Sequence, residues 1–152
     1  MRRASTITAF FLGACSTAAV QSTASTPVEP TAAPAAAVLR LDAAERRASP
    51  SGTATIAMLA RGQNAFVGKL EMQPGATVPE HRDATEEYIH VLSGGGIMMI
   101  DGERHEIRPG DTIYMPADAR VSFENGDEPM VALQVFAGPE PADKYTAWTS
   151  LQ

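Results

Sequence analysis

The sequence predicts an all-β domain, a sandwich or barrel of roughly a hundred residues, set behind an N-terminal leader and linker. From residue 53 onward, short apolar runs are separated by clusters of Gly, Pro, Asp and Asn at intervals of about 8 to 12 residues, the rhythm of strands joined by tight turns. With 12 Gly and 11 Pro, the chain is built for turns rather than long helices. Hydrophobic residues make up 44% and charged residues 20%, a composition that supports one packed core.

Charge narrows the partners. There are 18 acidic against 12 basic residues, a formal net charge of -6, and removal of a leader carrying Arg2 and Arg3 shifts the balance further toward acid. An acidic body without a Lys/Arg-rich stretch is repelled by phosphate backbones and anionic lipid head groups, so nucleic acid is not an expected partner.

Residues 1 to 14 read as a signal peptide: a basic start, a short apolar stretch, then small residues. The apolar stretch is too short to span a bilayer. Leu12-Gly13-Ala14-Cys15 resembles the bacterial lipobox, which implies cleavage before Cys15 and acylation of its thiol. The alternative is an ordinary signal peptide with a cysteine beside its cleavage site. Cys15 is the only cysteine, so no internal disulfide can form. Acylation implies an exported protein, periplasmic or at the cell surface, whose membrane contact is the lipid anchor alone.

Residues 15 to 37 are rich in Ala, Ser, Thr and Pro and nearly free of large apolar side chains, so they are expected to form a disordered tether. Residues 38 to 52 are ambiguous. Leu39 and Leu41 alternate like a strand, whereas the segment from Asp42 to Arg47 suits one helical turn, and an extended lead-in is expected.

The barrel is expected over 53 to 140 and a C-terminal tail over 141 to 152. Its strands read TATIAMLA, NAFVGKLEM, EYIHVL, GIMMI, DTIYMP, RVSFE and PMVALQVFA, and no internal helix is required. Asp101-Gly102 between IMMI and HEI signals a hairpin, and Arg108-Pro109-Gly110-Asp111 a second turn. Ser93-Gly94-Gly95-Gly96 is read as a flexible turn, because no nucleotide-binding or nucleophile-elbow motif surrounds it.

Two segments resemble the cupin motifs. Gly75, His81, Asp83, Glu87 and Gly94 follow the spacing of the first, with Asp83 where the family has a second histidine. Gly102, Pro109-Gly110-Asp111, Pro116 and Asn125 follow the second, with Val121 at its histidine position. The resemblance spans about residues 52 to 139 and implies a small cupin-type barrel, the jelly-roll-like double-stranded β-helix. It also implies a metal held at four motif positions, two of which this chain alters.

The residues support part of that independently. His81 and Asp83 are two apart, so on one strand both face the same way. On the next strand Glu87, Ile89 and Val91 share one face and Tyr88, His90 and Leu92 the other; the β-branched set is the expected interior. One imidazole and two carboxylates suit Mn²⁺, Fe²⁺, Ni²⁺ or Zn²⁺, with Gln134, an acidic side chain or water completing the shell. Equally, the three can be a buried polar cluster that satisfies itself. His90 is placed by face, and His105 by its hairpin, as structural or solvated. Met115 and Gln134 are candidate ligand contacts; the methionines spread over several strands read first as gap-filling core.

Three functions follow. The first is a binding module for a small molecule, with or without a weakly held metal, favoured by Val121. The second is a metal-dependent dioxygenase, isomerase or lyase using His81, Asp83 and Glu87, favoured by retention of His81 and Glu87. The third is a non-catalytic dimeric scaffold. Fold alone does not choose among them.

Overall fold

The structure is a computed structural model that describes residues 35–151. The signal peptide, Cys15 and the tether up to residue 34 lie outside the described residues. The strands are β1 (Glu45–Ala48), β2 (Ala54–Arg61), β3 (Ala65–Met72), β4 (Thr77–His81), β5 (Glu87–Ser93) and β6 (Gly96–Ile100). They continue as β7 (Glu103–Ile107), β8 (Thr112–Met115), β9 (Val121–Asn125), β10 (Met130–Ala137) and β11 (Thr149–Leu151). They form two antiparallel sheets, ordered β11-β1-β2-β3-β10-β5-β8 and β4-β9-β6-β7, a jelly-roll barrel with its core between the inner faces.

Period-two alternation builds that core. β10 buries Met130, Ala132, Gln134 and Phe136, and β5 buries Glu87, Ile89 and Val91 while exposing Tyr88, His90 and Leu92. Phe66 and Phe136 are fully buried with ring centroids 6.0 Å apart, and burying each contributes about 1.5–3 kcal/mol. The turns hold the registers. Asp101 and Gly102 both have positive φ (50° and 91°) in the two-residue loop between β6 and β7, the geometry of a primed hairpin turn.

Three segments differ from expectation. The glycine run after Ser93 is a close backbone crossing rather than a loose turn: a Cβ on Gly95 would lie 2.2 Å from the Ile107 carbonyl oxygen. The lead-in contains a 3-10 turn, Leu41–Ala43, and strand β1, which pairs with both β2 and β11. Residues 141–152, set aside as a tail, contain most of a 3-10 helix (Glu140–Ala147) followed by β11. That helix buries Ala142 and Tyr145, and Arg47 on β1 donates to the Thr146 carbonyl at 2.8 Å. The chain end is therefore part of the barrel wall.

Candidate functional site

The barrel encloses a cavity of about 440 Å³. Its walls are mostly apolar, with Met72, Met98, Met115 and Met130 among them, so four of the methionines read as core fillers line open space. The unbranched thioether side chains give the wall an adaptable shape. At one end the lining becomes polar, with His81, Asp83, Glu87, Gln134, Lys144 and Tyr145.

Local structure brings these groups together. β4 ends at His81, so Asp83 lies in the connection to β5 and not on the strand, as its spacing from His81 had suggested. It still turns inward, its side chain 14% exposed. The connection is tied to the neighbouring loop by the Asp118 amide, which donates to the Asp83 carbonyl at 2.8 Å, and by Arg82 donating to the Asp118 carbonyl. Glu87 opens β5, pairs in register with Phe136 and Met115, and is buried. One ligand atom from each of His81, Asp83 and Glu87 can be chosen so that all lie within 4.8 Å of one another.

Each member is oriented by a hydrogen bond. The Pro79 carbonyl, 3.0 Å from His81 Nδ1, can only accept, so Nδ1 carries the proton and Nε2 faces Asp83 at 3.7 Å. The Asp83 carboxylate beside it raises the His81 pKa despite partial burial. Burial pushes Asp83 up, but the neighbouring His81 and the hydrogen bonds from Lys144 outweigh it and hold its carboxyl below the ordinary range. Glu87 goes the other way, since burial raises it more than the hydrogen bond from Gln134 Nε2 lowers it. Gln134 Oε1 accepts from the Tyr145 hydroxyl, so a chain of bonds runs from the C-terminal helix to Glu87. Burial beside Glu87 drives the Tyr145 phenol far upward, and it acts only as a donor.

The donor set fits a divalent ion: ligand bonds near 2.1 Å place donor atoms roughly 3 to 4.3 Å apart, a small contraction from the spacing here. His81 Nε2, an Asp83 oxygen and the Glu87 oxygen not held by Gln134 would hold it. Val121, paired opposite His81 and 4% exposed, presents an isopropyl group to the cavity where the motif resemblance puts a histidine.

The remaining sequence candidates separate cleanly. Gln134 and Met115 line the cavity, whereas His90 is exposed and bonded to Thr112 at 2.9 Å, and His105 is exposed beside Glu103. Asn125 ties loops, donating to the carbonyls of Gln73 and Glu128 at 2.7 and 2.9 Å. Lys144, Tyr145 and Trp148 were missed. Three large side chains within PADKYTAWTSLQ were the available signal, since a solvated tail has no use for Tyr and Trp together.

The structure is a small antiparallel barrel with a His/Asp/Glu corner that could hold a metal ion in its interior. Residues 68–136 match the family model described as the cupin domain, and this barrel is a cupin domain. The chain is similar to the dimethylsulfoniopropionate lyase DddW of Ruegeria pomeroyi, 40% identical over 62 residues that cover 41% of each protein. It thus spans about two fifths of that relative's length. Among solved structures, KdgF from Halomonas sp. has a TM-score of 0.64 at 14% identity, covering 72% of this chain and 99% of that one. A predicted oxalate decarboxylase from Thermotoga maritima has a TM-score of 0.60 at 22% identity, covering 67% and 99%. At these identities the likeness is one of fold.

Proposed function

We propose that the protein is an exported, membrane-tethered cupin that holds a small molecule inside the barrel, with a divalent metal at His81, Asp83 and Glu87 when one is bound. The observation that carries this reading is the junction of an apolar, methionine-lined cavity with that polar corner. Its volume is within the range of small-ligand sites, about 300–1,000 Å³. The apolar wall suits the body of an amphipathic compound, and the corner suits a polar end. A metal there would polarise an oxygen of the ligand.

The test uses anilinonaphthalene sulfonate as an apolar probe on the full chain. One saturable site is expected, quenching Trp148, the only tryptophan, which also lines the cavity. Val121→Phe, which fills the cavity from its wall, is expected to remove binding while leaving the β-type circular dichroism spectrum intact. Equal binding by that variant would place the probe elsewhere and overturn the reading.

A second reading, a metal-dependent enzyme, draws on two observations. One is the similarity to a lyase over 62 residues; the other is the Glu87 carboxyl, raised by burial toward the range of a general acid or base. Metal-dependent turnover in the parent, lost in Glu87→Gln at metal concentrations high enough to load both proteins, would favour it over the binding module.

A further inference from the structure

We propose that Lys144 is the resident cation of this site: its ammonium holds Asp83, and a divalent metal must displace it to use that carboxylate. This rests on the metal reading above and adds a specificity-determining residue to it. Lys144 Nζ donates to Asp83 Oδ2 at 2.9 Å and Oδ1 at 3.2 Å, so both oxygens of one candidate ligand are engaged. The same ammonium sits 4.6 Å from the centroid of the Phe136 ring, whose electron-rich face attracts a cation. It is thus held from two sides at the cavity, not adrift at the surface.

The fold fixes where this lysine stands. Its neighbour Tyr145 is buried and hydrogen-bonded to Gln134, Arg47 donates to the Thr146 carbonyl, and Arg61 pairs with Asp143 at 2.7 Å. β11 then pairs with β1. The backbone on both sides of Lys144 is therefore anchored, and exchange with a metal needs only a side-chain swing. Its side chain is 36% exposed, which gives the ammonium a path to water.

Chemistry makes the two cations exclusive. A carboxylate bridging an ammonium and a divalent ion would hold like charges at close range in a partly buried corner, where water only partly screens their repulsion. The metal also has little to offset this, because Val121 withholds a fourth ligand. The barrel is thereby biased toward its metal-free form, with internal charge balance supplied by the chain itself.

The test compares the full chain, made without a metal-affinity tag, with Lys144→Met, Lys144→Gln and Lys144→Arg. Mn²⁺ and Ni²⁺ binding is read by isothermal titration and by the metal-dependent rise in melting temperature. Lys144→Met is expected to bind metal roughly tenfold tighter or more, since the competing charge is gone, and to gain the larger thermal shift. Lys144→Gln keeps an N–H donor for Asp83 without the charge, so it gives the same comparison should the methionine variant fold poorly. Lys144→Arg keeps the charge and is expected to remain as weak as the parent. Parent and neutral variants binding metal equally would overturn the role of Lys144 while leaving the metal site standing. No binding by any of them would overturn both.

Discussion

Val121 stands directly opposite His81 across the β4–β9 ladder, with its side chain buried in the cavity wall. The motif resemblance implies a metal ligand at this position, and an isopropyl group cannot supply one. Val121→His is expected to strengthen Mn²⁺, Ni²⁺ or Zn²⁺ binding by about tenfold, because it adds a nitrogen donor to an N,O,O set. Titration calorimetry checks this; a folded variant with unchanged affinity would mean that residue 121 does not reach the ion.

Glu87 is destabilising when ionised. Because its folded pKa is raised, the folded state is favoured most below the ordinary carboxyl range and loses stability as pH rises through the folded pKa. Glu87→Gln is therefore expected to melt higher than the parent at neutral pH, with the gap closing in acid, while metal binding weakens. Gln134 can still donate to the new amide oxygen. Thermal melts across pH settle the sign, and a variant less stable at neutral pH would contradict it.

The His81–Asp83 pair titrates in the opposite sense at its two ends. His81 is raised, so its contribution is present below its ordinary 6.5 and lost as pH climbs through the folded value; Asp83 is lowered, so its contribution is present above its ordinary 3.8 and lost as pH falls. Asp83→Asn should thus cost most stability between those values, by about 1 kcal/mol or less given partial exposure. A pH-independent loss would show that packing, not charge, sets the effect.

Tyr145 joins the C-terminal helix to the site. Tyr145→Phe leaves Gln134 Oε1 buried without its donor and is expected to cost about 1–3 kcal/mol in chemical denaturation. A chain ending at residue 139 loses this contact, the Lys144–Asp83 bond and β11, and should fail to melt cooperatively. Full stability after that truncation would show the end segment to be dispensable.

Export is tested at Cys15. Cys15→Ser is expected to move the protein from the detergent phase to the soluble fraction, whereas continued membrane association would remove the lipid-anchor proposal.

The fold was legible because its signals are local. Alternation in EYIHVL assigned the two faces of β5, and Asp101-Gly102 marked a hairpin turn that only residues tolerant of positive φ can make. His81 and Glu87 could be paired for the same reason. Asp83 was placed on the wrong element because β4 stops at His81, and strand ends depend on pairing with β9 that period-two reasoning does not see. Lys144 and Tyr145 lay beyond reach for a related cause: their roles depend on contacts with Asp83 and Gln134 far away in sequence. The glycines after Ser93 show the same limit, since a glycine needed for close backbone approach and one needed for a loose turn read alike.

The most direct measurement is a Mn²⁺ titration of the full chain followed by electron paramagnetic resonance, beside His81→Ala checked for folding by circular dichroism. One weakly bound Mn²⁺ per chain in the parent, absent from His81→Ala, is the expected result. No bound Mn²⁺ in the parent, or the same amount in His81→Ala, would contradict a metal site at His81, Asp83 and Glu87.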